Sequence, residues 1–256
     1  MTEPQQLTLN VIGAGPAWSD RPGSSGAAYL LRSAATAILM DLGQGSFPRL
    51  AGAIEPSALD AVAISHLHPD HFIDLVPLRH YLAYQHRPPR SMRVIAPDGL
   101  ATRLDALHDQ PGFTNVSLDV ETFADGVVAI GDLTLEARRV THTENSHAIR
   151  IGRAGEPGLV YSGDCGVAED LIPLLRPGDT LLVEVSFGAE PVPPGATHLN
   201  ADAVAALARV TQPGLILLTH LQMALDRTRP VEIVGAAASC PVRLVEPGEI
   251  IELPRT

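Results

Sequence analysis

Ser65-His66-Leu67-His68-Pro69-Asp70-His71 follows directly on the apolar run Leu59-Asp60-Ala61-Val62-Ala63-Ile64. The run predicts a strand, and the end of a strand pins the backbone that leaves it. Alternating positions then let His66 and His68 point the same way. Asp70 and His71 fall on the following turn, where they can face a second point a few ångströms off. Neutral imidazole and carboxylate are good ligands for zinc and similar divalent ions. His-x-His-x-Asp-His therefore reads as a metal site with two adjacent subsites.

Composition narrows the function classes. The chain has 256 residues, is 45% hydrophobic and carries a formal charge of −11. Every basic residue is arginine, so Schiff-base, P-loop and general-base lysines are excluded. The acidic balance argues against a broad electrostatic grip on long nucleic acid, although bound cations would offset it where a phosphate sits. Cys165 and Cys240 make no disulfide framework and suit a reducing compartment. The start Met1-Thr2-Glu3-Pro4-Gln5-Gln6 lacks a signal pattern, and the apolar-rich stretch Ala27 to Met40 is interrupted by Arg32 and too short for a membrane span. A cytoplasmic protein with no membrane partner is expected.

The pattern along the chain predicts an α/β fold in one domain over residues 1–256. Strands are expected at Leu7–Ile12, at the hairpin pair Ala28–Leu31 and Thr36–Met40, and at Met92–Ala96. More follow at Leu133–Val140, Ala148–Ile151, Leu159–Ser162, Thr180–Glu184, Leu215–Leu218 and Val242–Leu244. Helices are expected at Ser46–Ile54, Ile73–His86, Pro97–Ala106, Ala168–Leu175, Ala201–Val210 and Val231–Ala238. Each half repeats a sheet-then-helix theme, which implies two sheets face to face with helices outside. Val11-Ile12-Gly13-Ala14-Gly15-Pro16-Ala17 imitates a dinucleotide-binding turn. Trp18 stands where that fingerprint needs a small residue, and a loop follows instead of a helix. The stretch reads as a glycine-rich turn that lines the site.

Four ligands do not fill two coordination spheres. His142, Asp164 and His220 each follow an apolar run, in Thr141-His142-Thr143, Gly163-Asp164-Cys165 and Thr219-His220-Leu221. Strand ends are where a sheet presents ligands. His198 lies in Thr197-His198-Leu199-Asn200, directly before an Asn-capped helix whose free N–H groups favour a phosphate.

On these residues the chain resembles the metallo-β-lactamase fold superfamily and, through Thr197-His198-Leu199-Asn200-Ala201, its tRNase Z-like phosphodiesterase branch. The resemblance runs from the Gly13-Ala14-Gly15 turn and Asp41-Leu42-Gly43 through the His220 loop. It implies a four-layer αββα sandwich with a dinuclear site. His66, His68 and His142 would hold one metal, Asp70, His71 and His220 the other, with Asp164 bridging. The arm with which tRNase Z grips tRNA has no room in residues 143–163, which two strands and a turn use up. The chain is thus closer to armless members that resemble bacterial cyclic-nucleotide phosphodiesterases.

The resemblance implies hydrolysis of a small phosphodiester, most naturally a cyclic nucleotide, by water activated between two divalent ions. Zn²⁺ is expected; Mn²⁺ or Fe²⁺ suits the same ligands. Asp70 or Asp164 would orient the nucleophile, and His198 would stabilise or protonate the leaving group. RNA 3′-end processing and lactone or thioester hydrolysis are the alternatives on this scaffold. A homodimer is implied by the resemblance alone. His80 and His86 read as surface residues, His108 as a loop residue, and Cys165 as a small packed side chain. His147 could line the pocket, and Arg79, Arg87 and Arg90 could recognise a phosphate or base.

Overall fold

The computed structural model describes residues 6–123 and 126–255. The start of the chain, Met1 to Gln5, on which the reading of the leader rested, lies outside them. Strands along the chain are β1 (Thr8–Gly13), β2 (Ala28–Arg32), β3 (Ala37–Met40), β4 (Ala61–Ala63), β5 (Met92–Ala96), β6 (Leu118–Thr122) and β7 (Val127–Ile130). Then come β8 (Leu133–Arg139), β9 (His147–Gly152), β10 (Leu159–Tyr161), β11 (Thr180–Glu184), β12 (Leu215–Thr219), β13 (Val242–Leu244) and β14 (Ile250–Glu252). The helices are α1 (Phe47–Ala53), α2 (Pro69–Phe72), α3 (Leu75–Tyr84), α4 (Leu100–Leu107), α5 (Ala201–Val210) and α6 (Arg229–Gly235).

The strands form two seven-stranded mixed sheets, in the orders β14-β1-β2-β3-β4-β5-β6 and β13-β12-β11-β10-β9-β8-β7. Period-two alternation divides their side chains between two environments. Tyr29, Leu31, Ile38, Met40, Ile149, Tyr161, Leu182 and Leu217 meet in a core between the sheets. Their neighbours Leu30, Leu39, Val62 and Val94 pack outward against Leu50, Leu78, Leu82 and Leu104 of the helices. On the other side Leu181, Val183, Ile216 and Leu218 pack against Val204, Leu207 and Val234. Strands buried on both faces read as continuous apolar runs, which is why the central ones stood out in the sequence. The result is the αββα sandwich.

Several elements depart from expectation. The helix expected over Ile73–His86 is α3, Leu75–Tyr84; a separate short helix, α2, precedes it within the metal motif, and the two are parted at Ile73-Asp74. The Asp70 carbonyl accepts from Ala27 N (3.1 Å) while Asp74 N donates to Leu42 O (3.0 Å), so the turn cannot continue. Ala168–Leu175 contains only a short 3-10 turn, Ala168–Leu171, because Pro173 has no N–H to extend it. The fourth strand is shorter than expected, since Leu59 caps the turn Pro56–Ala58. Edge strands β6, β7 and β14, short and largely exposed, were not anticipated.

Parallel pairing aligns β3, β4, β5 and β6 in one sheet and β10, β11, β12 and β13 in the other. β8 runs the same way as β10, being antiparallel to their shared neighbour β9. The carboxyl ends of β3, β4, β8, β10, β11 and β12 therefore all open on one end of the sandwich.

Candidate metal centre

From those strand ends come Asp41, the Ser65–His71 segment, His142, Asp164, Ser186 and His220. Close backbone approach makes the gathering feasible. A Cβ on Gly43 would lie 1.8 Å from the Asp70 carbonyl oxygen, so only glycine lets the α2 turn pack against the β3 end. At Gly163 (φ +56°) a Cβ would meet Ser65 Cβ at 2.9 Å, and the left-handed turn there swings Asp164 into the site. His220 also holds a left-handed backbone (φ +58°), secured by its N–H to the Ala14 carbonyl at 3.1 Å. The Gly13-Ala14-Gly15 turn thus positions a site residue, and a dinucleotide has no part in it.

Among the described residues three groups of ligand atoms form, each within 4.8 Å: His66, His68, His142 and Asp164; beside them Asp70, His71 and His220; and a third that joins His198 to Asp164 and His220. Asp164 lies between the groups. Its Oδ2 is 3.6 Å from both His66 Nε2 and His142 Nε2, and its Oδ1 is 3.3 Å from His71 Nε2 and 3.5 Å from His220 Nε2. Asp70 Oδ2 is 3.4 Å from His220 Nε2 and 3.6 Å from His71 Nε2.

Outer hydrogen bonds set the tautomers. His71 Nδ1–H donates to Asp41 Oδ2 (2.7 Å) and His142 Nδ1–H to the Thr197 carbonyl (2.7 Å). Ser65 Oγ donates to Asp41 (2.7 Å) and so accepts from His66 Nδ1 (3.1 Å). Ser186 Oγ donates to Glu184 (2.5 Å) and accepts from His220 Nδ1 (3.1 Å). In all four rings Nε2 is directed inward, where a metal would take it; burial would lower the His71 pKa, but the Asp164 and Asp41 carboxylates outweigh it and hold it well above the ordinary histidine value. His142 Nε2 faces His68 Nδ1 at 3.1 Å.

The donor set fits divalent cations. His66 Nε2, His71 Nε2, His220 Nε2 and Asp164 Oδ1 are buried and have no hydrogen-bond partner, a costly arrangement unless a cation completes it. Burial pushes His66, His68 and His142 below the ordinary histidine value, towards the neutral ligand form. Burial alone would raise Asp164, but the imidazoles of His220 and His71 hold it well below the usual carboxylate range.

Asp41 anchors this shell and carries a prediction. One oxygen accepts from Ser65 N (2.6 Å); the other accepts from Ser65 Oγ, His71 Nδ1 and Tyr161 OH (each 2.7 Å). Asp41→Asn places an N–H donor among donors and leaves at least one unpaired. Metal affinity, measured by competition with a chromophoric chelator, is expected to fall about 10- to 100-fold, the usual cost of losing an outer partner.

His198 is tied differently. Its Nδ1–H donates to Glu184 Oε1 (2.8 Å), while Asp164 Oδ2 is 3.8 Å away. Glu184 in turn accepts from Cys165 N, Ser186 N and Ser186 Oγ. Burial would lower the His198 pKa, but the Glu184 hydrogen bond and charge outweigh it and raise it above the ordinary value. Nδ1 is thus committed to Glu184, although the ring still lies within reach of Asp164 and His220. Asn200 caps α5 by accepting from Ala203 N (3.1 Å), as the sequence predicts.

The remaining expectations divide. Arg79 is 3% exposed, donates to the Phe113 carbonyl (2.8 Å) and lies 4.1 Å over the Phe113 ring, so it is structural and cannot meet a substrate phosphate. Arg87 binds the Ala83 carbonyl and Arg90 the Ser57 hydroxyl, and neither lines the metal-centre cavity. His80 and His86 are half-buried against aromatic rings instead of fully exposed, and His108 caps α4 and stacks on Phe113 at 3.9 Å. His147 lines a neighbouring cleft beside Phe123. The Cys165 thiol is buried, donates to the Val167 carbonyl (3.1 Å) and is pushed up to about 12, which suits packing. Sequence reasoning missed Glu184 and Ser186. The available signal was a carboxylate closing the otherwise apolar run Thr180–Val183.

Fold and centre together define a class. The family of the beta-lactamase superfamily domain matches residues 37–221, and the chain belongs to it. With its two metal-competent clusters it is a metal-dependent hydrolase. The chain is 33% identical over 244 residues to uncharacterized protein Rv1339 of Mycobacterium tuberculosis, covering 91% of this chain and 88% of that one. The crystal structure of the metallo-beta-lactamase fold protein YhfI from Bacillus subtilis superposes with a TM-score of 0.86 at 23% identity, over 97% of this chain and 99% of that one. Human tRNase Z, short form, superposes with a TM-score of 0.73 at 19% identity, over 96% and 99%. Likeness at these identities shows the fold and leaves the branch within the family open. Among the described residues no helix is long and apolar enough to cross a membrane.

Proposed function

We propose that the protein is a dinuclear phosphodiesterase acting on a small phosphodiester, with a cyclic nucleotide as the favoured substrate. The observation that carries this reading is His198, held by the buried Glu184, with Nδ1 3.8 Å from Asp164 and the ring on the wall of the same cavity. Hydrolysis of a phosphodiester expels an alkoxide, and a proton donor beside the metals is what that departure needs. The fold likeness to tRNase Z supports phosphodiester chemistry on this frame.

In this reading His66, His68 and His142 would hold one ion and Asp70, His71 and His220 the other, with Asp164 available to both. Zn²⁺ is the favoured metal for such a His/Asp set. Bound divalent ions supply Lewis acidity and bring the pKa of water towards neutrality. Asp70 or Asp164 would orient the nucleophile. His198 delivers a proton from Nε2 while Glu184 holds the ring through Nδ1.

Two features favour a small substrate over tRNA. Residues 143–163 are taken up by β9, β10 and their turn, with no protruding arm. The cavity at the centre measures about 320 Å³, the size of a small-molecule site, on a chain of net charge −11.

Hydrolysis of a 3′,5′-cyclic nucleotide by the metal-loaded protein, followed by ³¹P NMR, tests the reading against cleavage of a precursor tRNA. Conversion of the cyclic diester to a monoester, abolished by chelation, is the expected outcome. Cleavage of the RNA with no attack on the cyclic diester would replace this proposal with the processing nuclease.

A further inference from the structure

Trp18, the residue that spoils the dinucleotide fingerprint, is 59% exposed. It lies on the wall of the metal-centre cavity with Pro16, Ala17 and Gln222, opposite His68, Asp70 and Asp164. An exposed indole on a wandering loop would mean little, but this loop is anchored. Gln44 Nε2 donates to both the Pro16 and Ala17 carbonyls (3.2 Å each), and Gly15 N donates to the Ser25 carbonyl (2.9 Å). Ala224 N donates to Asp20 Oδ2 (3.3 Å), joining the Trp18 loop to the segment that carries Gln222. The Gln222 carboxamide makes no hydrogen bond among the described residues. A large flat apolar surface and an uncommitted donor–acceptor pair are thus held on the wall of a metal-competent cavity.

Those two groups have complementary chemistry. An aromatic face offers stacking to any nucleobase, and a glutamine amide matches a base edge with adjacent donor and acceptor, as adenine presents. A simple alkyl group would use the indole and leave the amide unpaired. We infer that Trp18 and Gln222 form the base-recognition subsite of this centre, Trp18 by stacking and Gln222 by hydrogen bonds to the base edge, so that the substrate is a nucleoside phosphodiester. The inference rests on the phosphodiesterase reading and adds the substrate's base to it.

Trp18 is the single tryptophan of the chain, so its emission reports the subsite directly. The metal-loaded protein is titrated with adenosine 5′-monophosphate and with ribose 5-phosphate, which share the phosphate and sugar and differ in the base. The nucleotide is expected to quench Trp18, and ribose 5-phosphate to bind without quenching. By calorimetry Trp18→Ala is expected to weaken nucleotide binding about 5- to 150-fold, the range for losing one stacked base, and to leave ribose 5-phosphate unchanged. Gln222→Ala is expected to weaken the nucleotide alone as well.

Equal affinity for the two ligands, unaffected by Trp18→Ala, would overturn the base subsite while leaving phosphodiesterase activity intact. Failure of both phosphates to bind would overturn the underlying reading together with this one. Conversion of the protein to a smaller species on gel filtration of Trp18→Ala would assign the indole to a contact between copies and also overturn the subsite.

Discussion

Asp164→Ala is expected to bind far less metal than the native protein and to hydrolyse its substrate no faster than the metal-free background. Among the described residues Asp164 is the one side chain whose two oxygens reach both clusters, at 3.3–3.6 Å from four histidine nitrogens. Its removal takes a ligand from each subsite and the negative charge that offsets two cations. Emission spectroscopy of the metal content, read beside circular dichroism to confirm folding, tests this. His68→Ala, which opens only the cluster of His66, His142 and Asp164, is expected to abolish turnover in the same way. Native metal content in folded Asp164→Ala would remove that residue from the centre.

His198→Ala is expected to behave in the opposite manner, keeping its metal and losing turnover by about 10²- to 10⁴-fold, the range for removal of a general acid. Nδ1 is engaged by Glu184 at 2.8 Å, and Asp164 keeps the His66/His68/His142 and Asp70/His71/His220 groups joined without His198. The loss should fall on kcat, and it should shrink for a substrate whose leaving group needs no proton, such as a nitrophenolate. Equal loss of metal and of activity would make His198 a ligand instead.

These two residues were legible in the sequence for different reasons. Asp164 and His220 each follow a strand buried on both faces, and such strands announce themselves as unbroken apolar runs; His142 follows the half-exposed β8, whose apolar residues alternate with polar ones only at its start. His198 was legible through Asn200, whose capping role depends only on local sequence. The outer shell was harder to read. Glu184 and Ser186 act through contacts with His198 and His220, which lie far along the chain and leave no spacing signature. Asp41 was visible only as part of the Asp41-Leu42-Gly43 turn; its role as acceptor for Ser65, His71 and Tyr161 emerges in three dimensions. Arg79 misled for the same reason, since nothing in Leu78-Arg79-His80 announces that Phe113 will cover its guanidinium. The break between α2 and α3 also depends on tertiary structure, because Ala27 and Leu42 take the backbone groups a continuous helix would use.

The central claim is that this cluster of histidines and aspartates hydrolyses phosphodiesters. Its most direct test is hydrolysis of bis(4-nitrophenyl) phosphate by the purified protein, metal-loaded and after chelation. The account predicts turnover in the loaded protein, loss on chelation and recovery when the divalent ion is restored. A protein with both subsites filled that leaves the phosphodiester intact, yet hydrolyses a lactone or thioester, would contradict it.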